Sequence, residues 1–179
     1  MSIAVNHVAV CVTDIRKAME WYRDVLGMTV LCEPIQISSS GEIHTSDEES
    51  TAEEPRTDPQ LGRLVKQVFG PRMQKFLICH VASANGVGLE LFQFLEPQSV
   101  RRDDNFDYWK TGFFHIAITD PRVAELAERI AANGGKKRTD VMEIAQGTAK
   151  RICFCEDPFG NVIEIYSHSY EQFWANAQM

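Results

Sequence analysis

Long apolar runs, paired cysteines and an excess of positive charge are all missing from this chain of 179 residues. No apolar stretch approaches the roughly 18 residues needed to span a bilayer, so no membrane helix is expected. The N-terminus runs straight into a strand-like pattern without a charge–apolar–small layout, so no secretory signal is expected either. The five cysteines (Cys11, Cys32, Cys79, Cys153, Cys155) are odd in number and contain no Cys-x-x-Cys pair. Most sit in apolar strand-like runs, which reads as reduced core thiols in a cytoplasmic protein. Acidic residues outnumber basic ones by 25 to 18, a net charge of −7. That balance argues against nucleic acid or an anionic membrane surface as the main partner.

The acidity that is present is concentrated. Residues 41–59, "GEIHTSDEESTAEEPRTDP", hold seven acidic residues and one arginine, a net of −6, which leaves −1 for the rest of the chain. The flanking stretch 38–72 is polar, acidic and proline-bearing, and is expected to be an irregular insert.

Around that insert the chain repeats itself. "NHVAVCVTD" (6–14) is echoed by "FFHIAITDP" (113–121), with a histidine, an apolar run and Thr-Asp in both. "SIAVNHVAVCV" and "GFFHIAIT" read as strands. Thr13 or Asp14 is expected to cap a helix ending at Gly27, and Asp120 a second with Pro121 in its first position, ended by Gly134-Gly135. "MTVLCEPIQI" reads as a strand ending near Pro34 or just beyond, and a weaker strand is expected near 138–144. Each half then closes in a hairpin, the first turned at Asn85-Gly86 and the second at "DPFG". A short helix is expected at about 170–177. The order is β-α-β-β-β twice, an α+β architecture. One domain over residues 1–179 is expected, with modules at about 1–97 and 112–168. The histidine-to-glutamate spacing is 83 residues in the first half and 49 in the second, a difference of 34 that matches the insert.

Strand parity gives the repeated residues a direction. His115 shares a face with Phe113 and Ala117, opposite a core face of Phe114, Ile116 and Ile118. His7 shares a face with Val5 and Ala9, opposite Val8 and Val10. Glu90 and Glu164 lie mid-strand among aromatics at matching places in the last strand of each half. A single mid-strand histidine is usually a hydrogen-bonded structural residue, and a single mid-strand glutamate can lie on a solvated face. A buried carboxylate needs a partner, however, and two imidazoles with two carboxylates at matching positions suit a divalent metal with nitrogen and oxygen ligands. His80 and His168 are further candidate acid–base groups near the ligands. Tyr108 and Trp109, in an aromatic link between the halves, are candidate pocket residues.

The doubled order, His7, Glu90, His115 and Glu164, and the stretches "WYRDVLGM" (21–28) and "DPFGNVIEI" (157–165) resemble the vicinal-oxygen-chelate superfamily. The resemblance implies two modules forming a curved mixed sheet around a metal held by those four residues. It also implies homodimerisation. Within the superfamily, a His, Glu, His, Glu set looks like that of the lactoylglutathione lyases (glyoxalases). That implies Zn²⁺ or Ni²⁺ first, with Fe²⁺, Mn²⁺ or Co²⁺ as alternatives, and Glu90 or Glu164 shuttling a proton through a metal-stabilised enediolate. Extradiol dioxygenases, methylmalonyl-CoA epimerases and metal-free binding proteins of the same fold are the other implied activities. Arg16, Arg101, Arg102, Lys150 and Arg151 are candidates, by charge only, to hold the carboxylates of glutathione.

Overall fold

The β-branched start of the chain pairs its strand with the distant end of the same half. The structure is a computed structural model that describes residues 3–45, 56–103, 107–144 and 147–175. It divides into two units, Met1–Arg101 and Arg102–Met179. In the first unit, β1 (His7–Cys11) leads into α1 (Ile15–Asp24), β2 (Thr29–Ser38), β3 (Glu42–Thr45), β4 (Arg56–Thr57), α2 (Pro59–Phe69), β5 (Lys75–Ala82) and β6 (Gly88–Glu96). The sheet order is β1-β6-β5-β2-β3-β4, with β1 parallel to β6 and β5 antiparallel to it.

Helix α1 forms because Asp14 accepts the Lys17 backbone N–H and because its apolar residues recur at helical spacing. Ile15, Ala18, Met19, Trp21 and Tyr22 are buried against the sheet face carrying Cys79, Val81, Leu89 and Leu91. The Ile15 backbone N–H also donates to Gln93 Oε1 on that face. None of the five cysteines is in a disulfide. Cys79, Cys153 and Cys155 are buried, Cys32 is half-buried and Cys11 is exposed.

The expected irregular insert at 38–72 is corrected by the structure. β2 continues through Pro34 to Ser38, absorbing it in register shifts against β5. Two short strands and α2 follow. Asp58 Oδ1 accepts the backbone N–H groups of Gln60 and Leu61, and Pro59 begins the helix with its φ already set. Leu61, Val65 and Phe69 then fall at i, i+4 and i+8 and pack, with Met73, on Ile35, Ile37, Phe76, Ile78, Phe92 and Phe94. Phe69 meets the rings of Phe76, Phe92 and Phe94 at 5.4–5.7 Å. The most acidic part of the insert, residues 46–55, lies outside the described residues.

The second unit holds β7 (Ile116–Thr119), α3 (Val123–Ala132), β8 (Lys136–Lys137), β9 (Met142–Glu143), β10 (Arg151–Glu156), β11 (Val162–Tyr166) and α4 (Tyr170–Trp174). Its sheet order is β7-β11-β10-β8, with β9 also paired to β10. Val123, Leu126, Ala127 and Ile130 bury the apolar stripe of α3 against it. The "DPFG" turn is held by buried Asp157, whose Oδ1 accepts the backbone N–H groups of Phe159 and Asn161. Helix α4 ends at Trp174, short of the expected 177; residues 176–179 lie outside the described residues.

Three further expectations are corrected here. β7 starts at Ile116, and Phe113 and Phe114 ahead of it are exposed, so Phe114 is not a core residue. β1 likewise starts at His7, leaving Ile3 and Val5 in solvent. Asp120 does not cap α3. Its side chain accepts the Arg122 backbone N–H in a local turn, and the helix begins at Val123 with no side-chain cap. The module is thus α+β, mixed sheets with a few helices, and among the described residues no helix is long and apolar enough to cross a membrane.

Helix α2 docks by a close backbone approach. A Cβ on Gly62 would stand 2.7 Å from the Ser40 carbonyl and 2.9 Å from the Gly41 nitrogen, all backbone atoms that cannot swing aside. Gly62→Ala is therefore expected to cost about 1–3 kcal/mol in urea unfolding. Hydrogen exchange should quicken at the amides of α2 before those of β5 and β6. Unchanged protection of α2 would contradict this account of its docking.

Candidate functional site

In both units a parallel strand pair sets the same local pattern. In the first, Ala9 on β1 is in register with Glu90 on β6. In the second, Ala117 on β7 is in register with Glu164 on β11. Each alanine lies two residues past a histidine, so His7 and Glu90 share one sheet face, and His115 approaches Glu164 in the same way. The alanines are small enough to leave the carboxylates room.

The first pair is set by its neighbours. His7 Nε2 lies 3.4 Å from Glu90 Oε2. On the other side of the ring, Nδ1 meets Asn6 Oδ1 at 2.7 Å. With the amide oxygen accepting from Nδ1–H, the Nε2 lone pair of a neutral ring faces a carboxylate oxygen. Two facing acceptors are reconciled by a proton on the ring or by a cation between them. Gly88 completes the cradle, because a Cβ there would press on the His7 Cβ at 3.1 Å. His80 also belongs here: it is the cross-strand partner of Glu90, and its Nδ1 lies 3.7 Å from Oε1. That pairing follows from the loop between β5 and β6, in which the Ser83 N–H donates to the Val87 carbonyl, so that positions 80 and 90 are equidistant from residue 85.

In the second pair His115 Nε2 lies 3.2 Å from Glu164 Oε2. His115 Nδ1 is buried and has no hydrogen-bond partner among the described residues. The edges of Phe114 and Phe154, at 4.9 and 5.7 Å, hold the ring in place. The Glu164 side chain is 8% exposed against 23% for Glu90. Burial holds its carboxyl above the ordinary 4.5, with the His115 charge and the Tyr166 hydroxyl pulling the other way. Burial and the Glu164 charge in turn push the Tyr166 phenol up, so it remains a donor.

A helix covers the rest of the histidine-bearing face in each unit. In the first, α2 covers Phe76, Ile78, Phe92 and Phe94, the residues flanking His80 and Glu90 along β5 and β6. In the second, Phe173 of α4 packs on Tyr166 at 4.7 Å and on Ile152. The sequence reading missed the first of these covers. Of the other candidates, His168 Nδ1 meets Ser167 Oγ at 2.7 Å. Lys150 donates to the Phe173 carbonyl at 2.6 Å. Trp109 is exposed, and the Tyr108 ring meets Phe114 at 5.0 Å in a tilted contact. Among the described residues no group of three or more His, Cys, Asp or Glu side chains has the arrangement of a metal site.

The model of the Glyoxalase/Bleomycin resistance protein/Dioxygenase superfamily matches residues 4–165. A glyoxalase family protein from Bacillus cereus is similar in structure, with a TM-score of 0.68 at 15% identity over 93% of this chain and 94% of that one. Glyoxalase I from Zea mays gives 0.55 at 19% identity over 92% of this chain and 44% of its own, so this chain spans under half its length. A mutant of the fosfomycin resistance protein FosX from Listeria monocytogenes, complexed with Mn(II) and a dihydroxypropylphosphonic acid, gives 0.55 at 13% identity over 97% and 98%. At these identities the likenesses show the fold alone. No curated protein matches the chain.

The environment of Glu164 has a consequence for the metal-free protein. Its carboxyl titrates higher folded than unfolded, so the folded state holds the extra proton between the two values. The stability this contributes is full below the unfolded value and is lost as pH rises through the folded one. Glu164→Gln removes the charged form, so its stability relative to the parent should improve from about pH 4 to about pH 7 in urea unfolding. A difference that is flat or falls with pH would contradict the burial argument.

Proposed function

The chain belongs to the glyoxalase/bleomycin resistance protein/dioxygenase superfamily, and on that premise we propose that it is a metal-dependent lyase or isomerase of the glyoxalase type. His7, Glu90, His115 and Glu164 are proposed as the metal ligands. The observation that carries this reading is the repeated His–Glu pair, set by the same parallel register in both units, with Nε2 within 3.4 Å of a carboxylate oxygen each time. The residues present fit such an ion. The donors are imidazole nitrogen and carboxylate oxygen, the types that Zn²⁺, Ni²⁺, Fe²⁺, Mn²⁺ and Co²⁺ accept. The lone pairs that face one another in the first pair are what a cation reconciles.

When bound, the ion supplies Lewis-acid polarisation of a substrate oxygen. The chain's own residues do the rest. Asn6 holds the His7 tautomer through Nδ1, and Phe114 and Phe154 hold the His115 ring. A carboxylate oxygen, of Glu164 or Glu90, takes a proton from carbon beside that oxygen and returns it to the neighbouring atom. Glu164 suits the proton-carrying role as the more enclosed of the two carboxylates, its side chain 8% exposed against 23% for Glu90. The apolar cluster under α2 borders the first pair, so a substrate reaching past it along that face meets carbon. This favours a small oxygenated substrate over one with several charges.

Protein purified without chelator is expected to bind one equivalent of Ni²⁺ or Zn²⁺ per chain. It should turn over the methylglyoxal–glutathione hemithioacetal or a smaller α-hydroxycarbonyl. Glu164→Gln should lower that turnover by about 10²–10⁴-fold. A chain that takes up no divalent ion would overturn the reading. Metal uptake with oxygen consumption on a catechol, and no hemithioacetal turnover, would replace it with a ring-cleaving dioxygenase.

A further inference from the structure

The two oxygens of Glu90 face two different imidazoles. Oε2 lies 3.4 Å from His7 Nε2, and Oε1 lies 3.7 Å from His80 Nδ1. His80 stands directly across the β5–β6 hairpin from Glu90, and among the described residues Glu90 is the polar side chain that its ring meets. Its other neighbours on that face are Ala82 and Ile78 along β5, Gly88 and Phe92 along β6, and Cys32 across from it on β2, whose thiol donates to the Glu33 carbonyl. The ring is therefore placed for one polar task.

The second unit departs from this arrangement in an informative way. The residue directly across from Glu164 is Phe154, which has no polar atom to offer. Two residues further along the carboxylate's own strand, the first unit has Phe92 and the second has Tyr166. The Tyr166 hydroxyl is near enough to Glu164 to act against the rise in its proton affinity. Each carboxylate thus has one polar side chain besides its histidine. In the first unit it comes from across the hairpin, and in the second from along the strand.

The physical need is clear from the geometry. A glutamate that offers one oxygen to an ion can still rotate about its last bond and exchange oxygens. A donor on the second oxygen removes that freedom and raises the fraction of time the first oxygen is aimed correctly. The neutral imidazole supplies such a donor through Nδ1–H, so no charge on His80 is needed. We propose that His80 is a positioning residue that holds Glu90 Oε1 and so presents Oε2, together with His7 Nε2, to the divalent ion. The proposal rests on the metal-binding reading above and extends it to a residue outside the four ligands.

The test is calorimetric titration of the full chain, stripped of metal, with Ni²⁺ and separately Zn²⁺. His80→Phe installs the side chain that the second unit carries at this place, and is expected to weaken binding by about 10–100-fold with stoichiometry unchanged. His80→Gln keeps a side-chain N–H donor and is expected to restore most of the loss. His80→Ala removes the donor without adding bulk, and should match the phenylalanine variant; it also serves if that variant does not fold. Urea midpoints of the metal-free forms separate a general loss of fold from a loss confined to the ion. Affinity within about twofold of the parent in both donor-free variants, or a glutamine variant no better than alanine, overturns the role of His80 alone. A parent protein that binds neither ion overturns this proposal and the metal-binding reading together.

Discussion

The parallel pairing of the first and last strand in each unit is the constraint on which the candidate site depends. It brings together residues 83 positions apart in one unit and 49 apart in the other. It also fixes their offset: a carboxylate beside an alanine, and a histidine two residues before that alanine. A slip of one residue would turn every side chain of a strand to the other face and separate imidazole from carboxylate. The core defends this register. Leu89 and Leu91 in the first unit, and Ile163 and Ile165 in the second, are buried on the face opposite the carboxylates. The hydrophobic effect on one side of each sheet thus determines what faces what on the other.

Both carboxylate-bearing faces are partly closed, and by different means. The first unit uses a helix inserted between its second and third long strands. The second uses the short helix at its end. In each, aromatic packing stops beside the glutamate: Phe92 next to Glu90, and Tyr166 with Phe173 beyond Glu164. A polar cluster in a partly apolar setting has stronger local electrostatics than one in open water. Glu164, the more enclosed of the two carboxylates, shows this in its raised proton affinity.

Much of this was legible in the sequence because strands alternate. Parity alone put His7 with Ala9 and His115 with Ala117, away from the residues that face α1 and α3. The duplication then paired each histidine with a late glutamate. What was misread had specific causes. The run Thr57-Asp58-Pro59 followed by Leu61, Val65 and Phe69 is a capped amphipathic helix, but it stands beside a dense acidic stretch whose composition suggests a loop. The exposure of Phe113 and Phe114 cannot be foreseen from parity, which gives direction and says nothing about what lies there. The pairing of His80 with Glu90 needed hairpin register, and a two-residue turn at Asn85-Gly86 would have put residue 91 opposite His80; the observed loop pairs Ser83 with Val87 and brings Glu90 there instead. The asymmetry between His80 and Phe154 needed both hairpins laid side by side.

The histidines and the carboxylates differ in how firmly the sheets hold them. β6 and β11 are inner strands with a partner on each side, so Glu90 and Glu164 stand on backbone fixed from both directions. β1 and β7 are terminal strands with one partner each, five and four residues long. Single-sided strands of that length open more readily than the strands inside a sheet. Each unit therefore sets its carboxylate on backbone held from both sides and its histidine at the margin of the sheet.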